Sequence, residues 1–246
     1  MNTLLPVQAK RSISLLCAAI ALACCGCPPA PPSQEEQRQS ATSRWITVES
    51  NSRDEESNPI LDQDDLNRIV NALPTISTFV VERVKSGKIE TEHNVAEATV
   101  CGTRPEYFQL LKEVARVELQ QGRFFDTIEA AEGARIVVLS GSLAKKLFDE
   151  ADPIDRKVIL ERQELTVVGV VSDGVPWGTA VTRDAYVPLG LFGPGADQSA
   201  PVPYDRFRFH VKTLDQVENT QAIIRNIIER HHPDQDIRVH SSLSRH

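Results

Sequence analysis

Past residue 27 the chain holds a single cysteine, Cys101; the other four, Cys17, Cys24, Cys25 and Cys27, crowd into the start. One thiol cannot pair internally, so a disulfide framework in the body is excluded. Cys101 follows Val100 in a strand-like run, and we read it as a small buried apolar residue rather than a reactive thiol. Aromatic residues are scarce at 5%. Positive charge is also in deficit: 27 Lys and Arg stand against 34 Asp and Glu, a net charge of −7. Three of those cations, Lys10, Arg11 and Arg38, precede Arg44, so the body is acidic and repels phosphate backbones. With no basic cluster or interleaved aromatic patch to compensate, nucleic acid is excluded as a partner. Long apolar runs are missing from the body too. Arg135–Leu139 and Leu165–Val171 are strand-length, well short of the ~20 residues a membrane-spanning helix needs. What remains is ample for a core, since 41% of the 246 residues are hydrophobic.

The N-terminus has the three-part layout of a secretory signal peptide. Lys10 and Arg11 form the positive region, Ile13–Ala23 the apolar run, and small residues and cysteines follow. The stretch Leu22-Ala23-Cys24-Cys25-Gly26-Cys27 resembles a bacterial lipobox, in which a cysteine behind small residues receives lipid and begins the mature chain. Cys24, with Ala-Leu-Ala before it, is the first choice for lipidation; Cys27, behind Gly26, is the second, and Cys25 a further alternative. The expected organisation is a signal peptide over 1–23, the lipid site and a Pro/Gln-rich linker over 24–43, and a body over 44–246. Pro28-Pro29-Ala30-Pro31-Pro32 favours an extended, stiff tether. Such a chain would lie on the periplasmic side of the cell envelope, held to the membrane by its lipid.

In the body, Trp45, Ile46 and Val48 mark a first strand. Asp62 reads as a helix N-cap with Asp65 three residues on, ahead of Leu66, Ile69, Val70 and Leu73 at helical spacing. Ile76–Val84 and Ile89–Cys101 read as a hairpin turning at Ser86-Gly87. Helices are expected over Pro105–Lys112 and Leu143–Phe148, the second capped by Ser142. Val158–Leu160 pairs with Leu165–Val171. Arg206–Lys212 alternates as a strand. A capping box at Asp215 and Glu218 opens the helix carrying Val217, Ile223, Ile224, Ile227 and Ile228, and Asp236–His240 closes the chain. Hairpins with interposed helices imply an α+β fold: a mixed sheet with packed helices, divisible into two subdomains.

Candidate chemistry is sparse. Asp62, Asp64 and Asp65 are acidic neighbours at a helix start, where capping and the helix dipole account for them without a metal. His231 and His232 are adjacent, so they point about 100° apart on a helix and cannot ligate one ion from one face. His210 alternates with apolar neighbours and is expected to face solvent. There is no His-Glu-x-x-His or Gly-x-Ser-x-Gly pattern and no Gly-x-x-x-x-Gly-Lys-Ser/Thr loop. Gly169 and Gly174 read as bulge or turn residues rather than phosphate cradles. No catalytic, cofactor-binding or metal residue is nominated. Trp177, in Gly174-Val175-Pro176-Trp177-Gly178, is the candidate interface anchor.

Several stretches in order carry a resemblance: Val100-Cys101-Gly102-Thr103-Arg104-Pro105-Glu106-Tyr107-Phe108, Gly122-Arg123-Phe124-Phe125, Ala134–Leu139, Leu143–Phe148, Asp152-Pro153-Ile154, Leu165–Val171 and Ala185-Tyr186-Val187-Pro188. Together they resemble the periplasmic core domain of MacB-type ABC transporters, over roughly Arg44–Ser242. Asp155 departs from the pattern, which has glycine there, so that turn is expected to differ. The resemblance implies a MacB periplasmic-core fold. A full permease adds membrane helices and an ATP-binding domain; here a signal peptide stands first and the sequence stops at His246. We therefore expect a detached extracytoplasmic domain that neither hydrolyses ATP nor forms a pore. Its expected role is that of a non-catalytic interaction domain, accessory to an ABC-type export or lipoprotein-handling system, with a permease or adaptor as partner. The alternative is a lipoprotein that binds a solute or lipid.

Overall fold

The computed structural model describes residues 44–50, 61–174, 182–192 and 203–241. Alternation builds the first part of the sheet. In β1 (Trp45–Ser50), Ile46 and Val48 point to one side and are fully buried, while Trp45, Thr47 and Glu49 point to the other. β9 (Arg206–Val211) alternates in the same way, with Phe207, Phe209 and Val211 inward. β10 (Ile237–Ser241), β1, β9 and the first half of β2 (Ile76–Glu90) lie side by side, all antiparallel. Helices α1 (Gln63–Ala72) and α5 (Val217–His231) supply Leu66, Ile69, Ile224 and Ile228 to cover the apolar face. Burying each such side chain stabilises the fold by roughly 1.5–3 kcal/mol before chain entropy is counted.

β2 runs on for 15 residues and leaves this first half. Its pairing with β9 ends at Glu82, and from Arg83 onward it pairs with β3 (Val95–Thr103). Ser86-Gly87 is therefore not a turn: Gly87 lies opposite Ala98 in the ladder. The turn falls at Thr91–Asn94, where Thr91 Oγ1 accepts the Asn94 N–H at 2.9 Å and the two backbones bond at 2.8 Å.

The second half is a mixed sheet in the order β3, β8 (Ala185–Pro188), β5 (Ile136–Ser140), β7 (Gln163–Val171), β4 (Leu119–Gly122). β3–β8 and β5–β7 are parallel; β8–β5 and β7–β4 are antiparallel. β6 (Lys157–Leu160) forms a hairpin with β7 and touches the far end of β2. Helix α4 (Gly141–Phe148) packs on one face through Leu143, Ala144 and Leu147. On the other face α2 (Glu106–Ala115) lays Tyr107, Leu110 and Leu111 across both halves. The short helix α3 (Thr127–Glu132) begins with a capping box between Asp126 and Glu129. The fold is the α+β, mixed-sheet architecture expected.

The helix starts divide between agreement and correction. At α1 the Asp62 side chain accepts the Asp65 N–H at 2.9 Å, and Asp65 returns the contact to the Asp62 N–H at 3.2 Å. α4 is capped by Ser140, not Ser142: Ser140 Oγ accepts the Leu143 N–H at 3.2 Å, because the helix already begins at Gly141. The expected box at Asp215 and Glu218 is absent. Leu214–Gln216 forms a 3-10 turn, and α5 begins at Val217 with no side-chain cap. No described helix is long and apolar enough to cross a membrane.

Candidate functional site

The polar face of the first half does not look out into water. Glu82, at the residue where β2 changes partners, is fully buried at 0% exposure. Three guanidinium groups surround it. Arg208 Nε bonds Oε1, Arg206 Nη1 bonds Oε2 at 3.1 Å, and Arg183, just ahead of β8, reaches Oε2 at 3.3 Å. Arg206 also bonds Glu49 through Nε at 2.7 Å, and Arg208 donates to Thr47 Oγ1 at 3.2 Å. Register explains the convergence: Glu49, Arg206 and Glu82 lie directly opposite one another on β1, β9 and β2. Arg183 brings in the second half of the molecule.

Burial by itself would raise the Glu82 pKa, but the three arginines outweigh it and hold the carboxyl at about 2, against an ordinary 4.5. A carboxylate so engaged is a structural anion rather than a general base. Cys101, fully buried nearby, is pushed far above the ordinary thiol range by burial and then by the Glu82 charge. It therefore stays a neutral thiol, in keeping with the apolar role read from sequence. Burial likewise raises the phenols of Tyr107 and Tyr186.

The motif glycines and a motif tyrosine are explained by contact. A side chain at Gly169 would come within 2.1 Å of the Arg123 carbonyl oxygen, while the Arg123 N–H bonds the Val168 carbonyl at 2.9 Å. The Gly122–Phe125 turn and the Leu165–Val171 strand thus lock backbone to backbone. The ladder shifts there, with Val137 opposite Val167 but Val138 opposite Gly169, so Gly169 stands at a bulge. At Gly102 a side chain would strike the Phe192 ring at 2.2 Å. Tyr186 accepts the Arg183 N–H at 2.8 Å, which holds the arginine's backbone in place for Glu82. Asp155 itself takes the left-handed backbone conformation (φ 61) that glycine favours, with its N–H on the Val167 carbonyl at 2.9 Å.

The remaining candidates fall apart in space. His210 is half-buried, not solvent-facing as expected, because Trp45 packs on it at 4.9 Å between ring centres and Ser77 Oγ meets Nδ1 at 2.8 Å. Burial, then Arg44, lowers its pKa. His232 bonds the buried carboxylate of Asp65 at 2.8 Å, tying the end of α5 to the start of α1, while His231 stays exposed. Among the described residues no group of three or more His, Cys, Asp or Glu could hold a metal ion. Cys24, Cys25, Cys27 and Trp177 lie outside the described residues. A polar groove of about 390 Å³ opens beside β4, between Gln121, the α4 residues Gly141 and Lys145, and Asp149 and Asp152 beyond that helix. Sequence reasoning missed Glu82 and its arginines. Their signal was a lone carboxylate inside the run Phe79-Val80-Val81-Glu82, with arginines at alternate positions of β9.

Comparison with known proteins places the chain in a family. A family model described as the MacB-like periplasmic core domain matches residues 33–227. The macrolide export ATP-binding/permease protein MacB of Neisseria gonorrhoeae is 32% identical over 74 residues, 30% of this chain and 11% of that protein. The protein of the same name from Agrobacterium fabrum is 28% identical over 173 residues, 66% of this chain and 24% of that protein. The aligned stretches thus span well under half the length of these relatives. The crystal structure of the periplasmic region of MacB from Actinobacillus actinomycetemcomitans superposes with a TM-score of 0.67 at 19% identity, covering 86% of this chain and 94% of that one. With the family model matching most of its length, the chain belongs to the MacB-like periplasmic core domain family.

Proposed function

We propose that this protein is a non-catalytic extracytoplasmic interaction domain, lipid-anchored on the periplasmic side of the cell envelope and accessory to an ABC-type export or lipoprotein-handling system. The family match over residues 33–227 carries this reading. The relatives found beside it are named ATP-binding/permease proteins, which supports a permease or its adaptor as the partner proposed. The buried charge cluster supports the non-catalytic part, since its fully buried carboxylate, Glu82, is engaged by three arginines and the neighbouring thiol is kept neutral. Cys24 receives the lipid, with Cys27 and Cys25 the alternatives, and the Pro-rich stretch behind it spaces the domain from the bilayer. Trp177 is the interface anchor, an aromatic in a Pro/Gly segment.

The test is in-cell photo-crosslinking from residue 177, with the photoreactive benzoylphenylalanine in place of Trp177 and partners identified by mass. Recovery of an ABC permease or its adaptor is expected. Recovery of no protein, together with a co-purified small molecule, would replace this reading with a solute- or lipid-binding lipoprotein. Metabolic labelling with an alkyne fatty acid checks the anchor: Cys24→Ala removes the label, and Cys27→Ala leaves it.

A further inference from the structure

The two outer strands of the sheet are finished differently. β10 carries Arg238, a charge of the kind that discourages pairing with another chain. β4, Leu119-Gln120-Gln121-Gly122, has neither charge nor proline, all four residues are exposed, and among the described residues it pairs only with β7. The polar groove runs alongside it. Three acidic residues line this groove, Asp149, Glu150 and Asp152, the last also accepting the Ile154 N–H at 3.0 Å; against them stands one cation, Lys145, whose contact with Glu150 is long at 3.8 Å and widely exposed. The lining therefore keeps a negative excess beside an open strand edge.

We infer that β4 is a docking edge for an extended, basic segment of a protein partner. The segment adds one short strand beside β4, and its backbone satisfies the outward-facing groups of that edge. Side chains of an added strand alternate between faces, so every second one points toward α4 and the carboxylates. Lysine or arginine there meets opposite charge, whereas an acidic segment is repelled. The bulge between Leu119 and Gln121 and the four-residue length keep the added strand short, so affinity depends on the charges as well as on the backbone. The inference rests on the interaction reading above and supplies the chemistry of the contact.

The test titrates the ¹⁵N-labelled full chain with three probes: the peptide Thr-Lys-Val-Lys-Val-Lys-Thr, its counterpart with Glu for Lys, and the Lys peptide N-methylated at alternate residues. Saturable shifts of the Leu119–Gly122 amides are expected with the Lys peptide and not with its Glu counterpart. N-methylation, or the shape-preserving set Asp149→Asn, Glu150→Gln and Asp152→Asn, should each weaken binding by about tenfold or more. Equal binding of the Lys and Glu peptides, saturation away from β4, indifference to N-methylation, or no binding at all would overturn the inference. The two proposals fail separately. A crosslinked permease with no peptide effect at β4 removes only the docking edge. Peptide binding at β4 with no permease or adaptor recovered removes only the transporter reading.

Discussion

The two halves of the sheet bury their second faces in opposite ways. Around β8, β5 and β7 both faces are apolar: Val137, Leu139 and Val167 face α4, while Val138, Val171 and Tyr186 face α2. Around β1, β9 and the start of β2 one face is equally apolar, but the other holds Thr47, Glu82, Arg206 and Arg208. A buried apolar face tolerates exchange among apolar side chains of similar volume. A buried charge cluster does not, since removing one member leaves its partners charged and dehydrated. The first half is thus the brittle one, and Arg183 extends that dependence to the second.

The largest effect should come from breaking the cluster. Glu82→Gln leaves three arginines without their common counter-ion and should cost about 3–5 kcal/mol, read by urea denaturation. Acid does the same reversibly. The folded pKa of about 2 lies below the ordinary 4.5, so the stabilisation is complete above pH 4.5 and is lost as pH falls toward 2. Its size, on the order of 3 kcal/mol, should vanish from the pH profile of the Gln variant. A midpoint insensitive to Glu82→Gln would erase the contrast between the halves.

Next comes a steric change in the second half. Gly169→Ala forces Cβ against the Arg123 carbonyl, a backbone atom that cannot rotate away, and should cost about 1–3 kcal/mol. The loss should be independent of pH, which separates it from the first case. The smallest effect concerns Asp155, whose left-handed backbone suits glycine better. Asp155→Gly should shift stability upward by roughly 0.5–1 kcal/mol, seen as a small rise in thermal midpoint.

Local chemistry was the legible part of the sequence. The Asp62–Asp65 capping box, the alternation of β9 and the β6–β7 hairpin depend on residues a few positions apart, and they stand where the pattern put them. The Ser86-Gly87 turn failed because β2 is held straight by β3 and β6, partners that outweigh a local turn preference. His210 misled for a related reason: alternation says which face a residue takes, not whether α2 and Trp45 cover that face. The charge cluster was hidden by distance, since Arg183 and Arg208 lie 101 and 126 positions from Glu82.

The pairing of β1 with β10 carries a mechanical consequence. Ile46 lies opposite Ser241, so the chain arrives and departs at one corner of the sheet. A pull that separates those two leads loads the β1–β10 bonds one after another, as in opening a zipper, rather than all at once in shear. The corner is a built-in weak seam, and tension along the chain opens it before it reaches the arginine-bound centre.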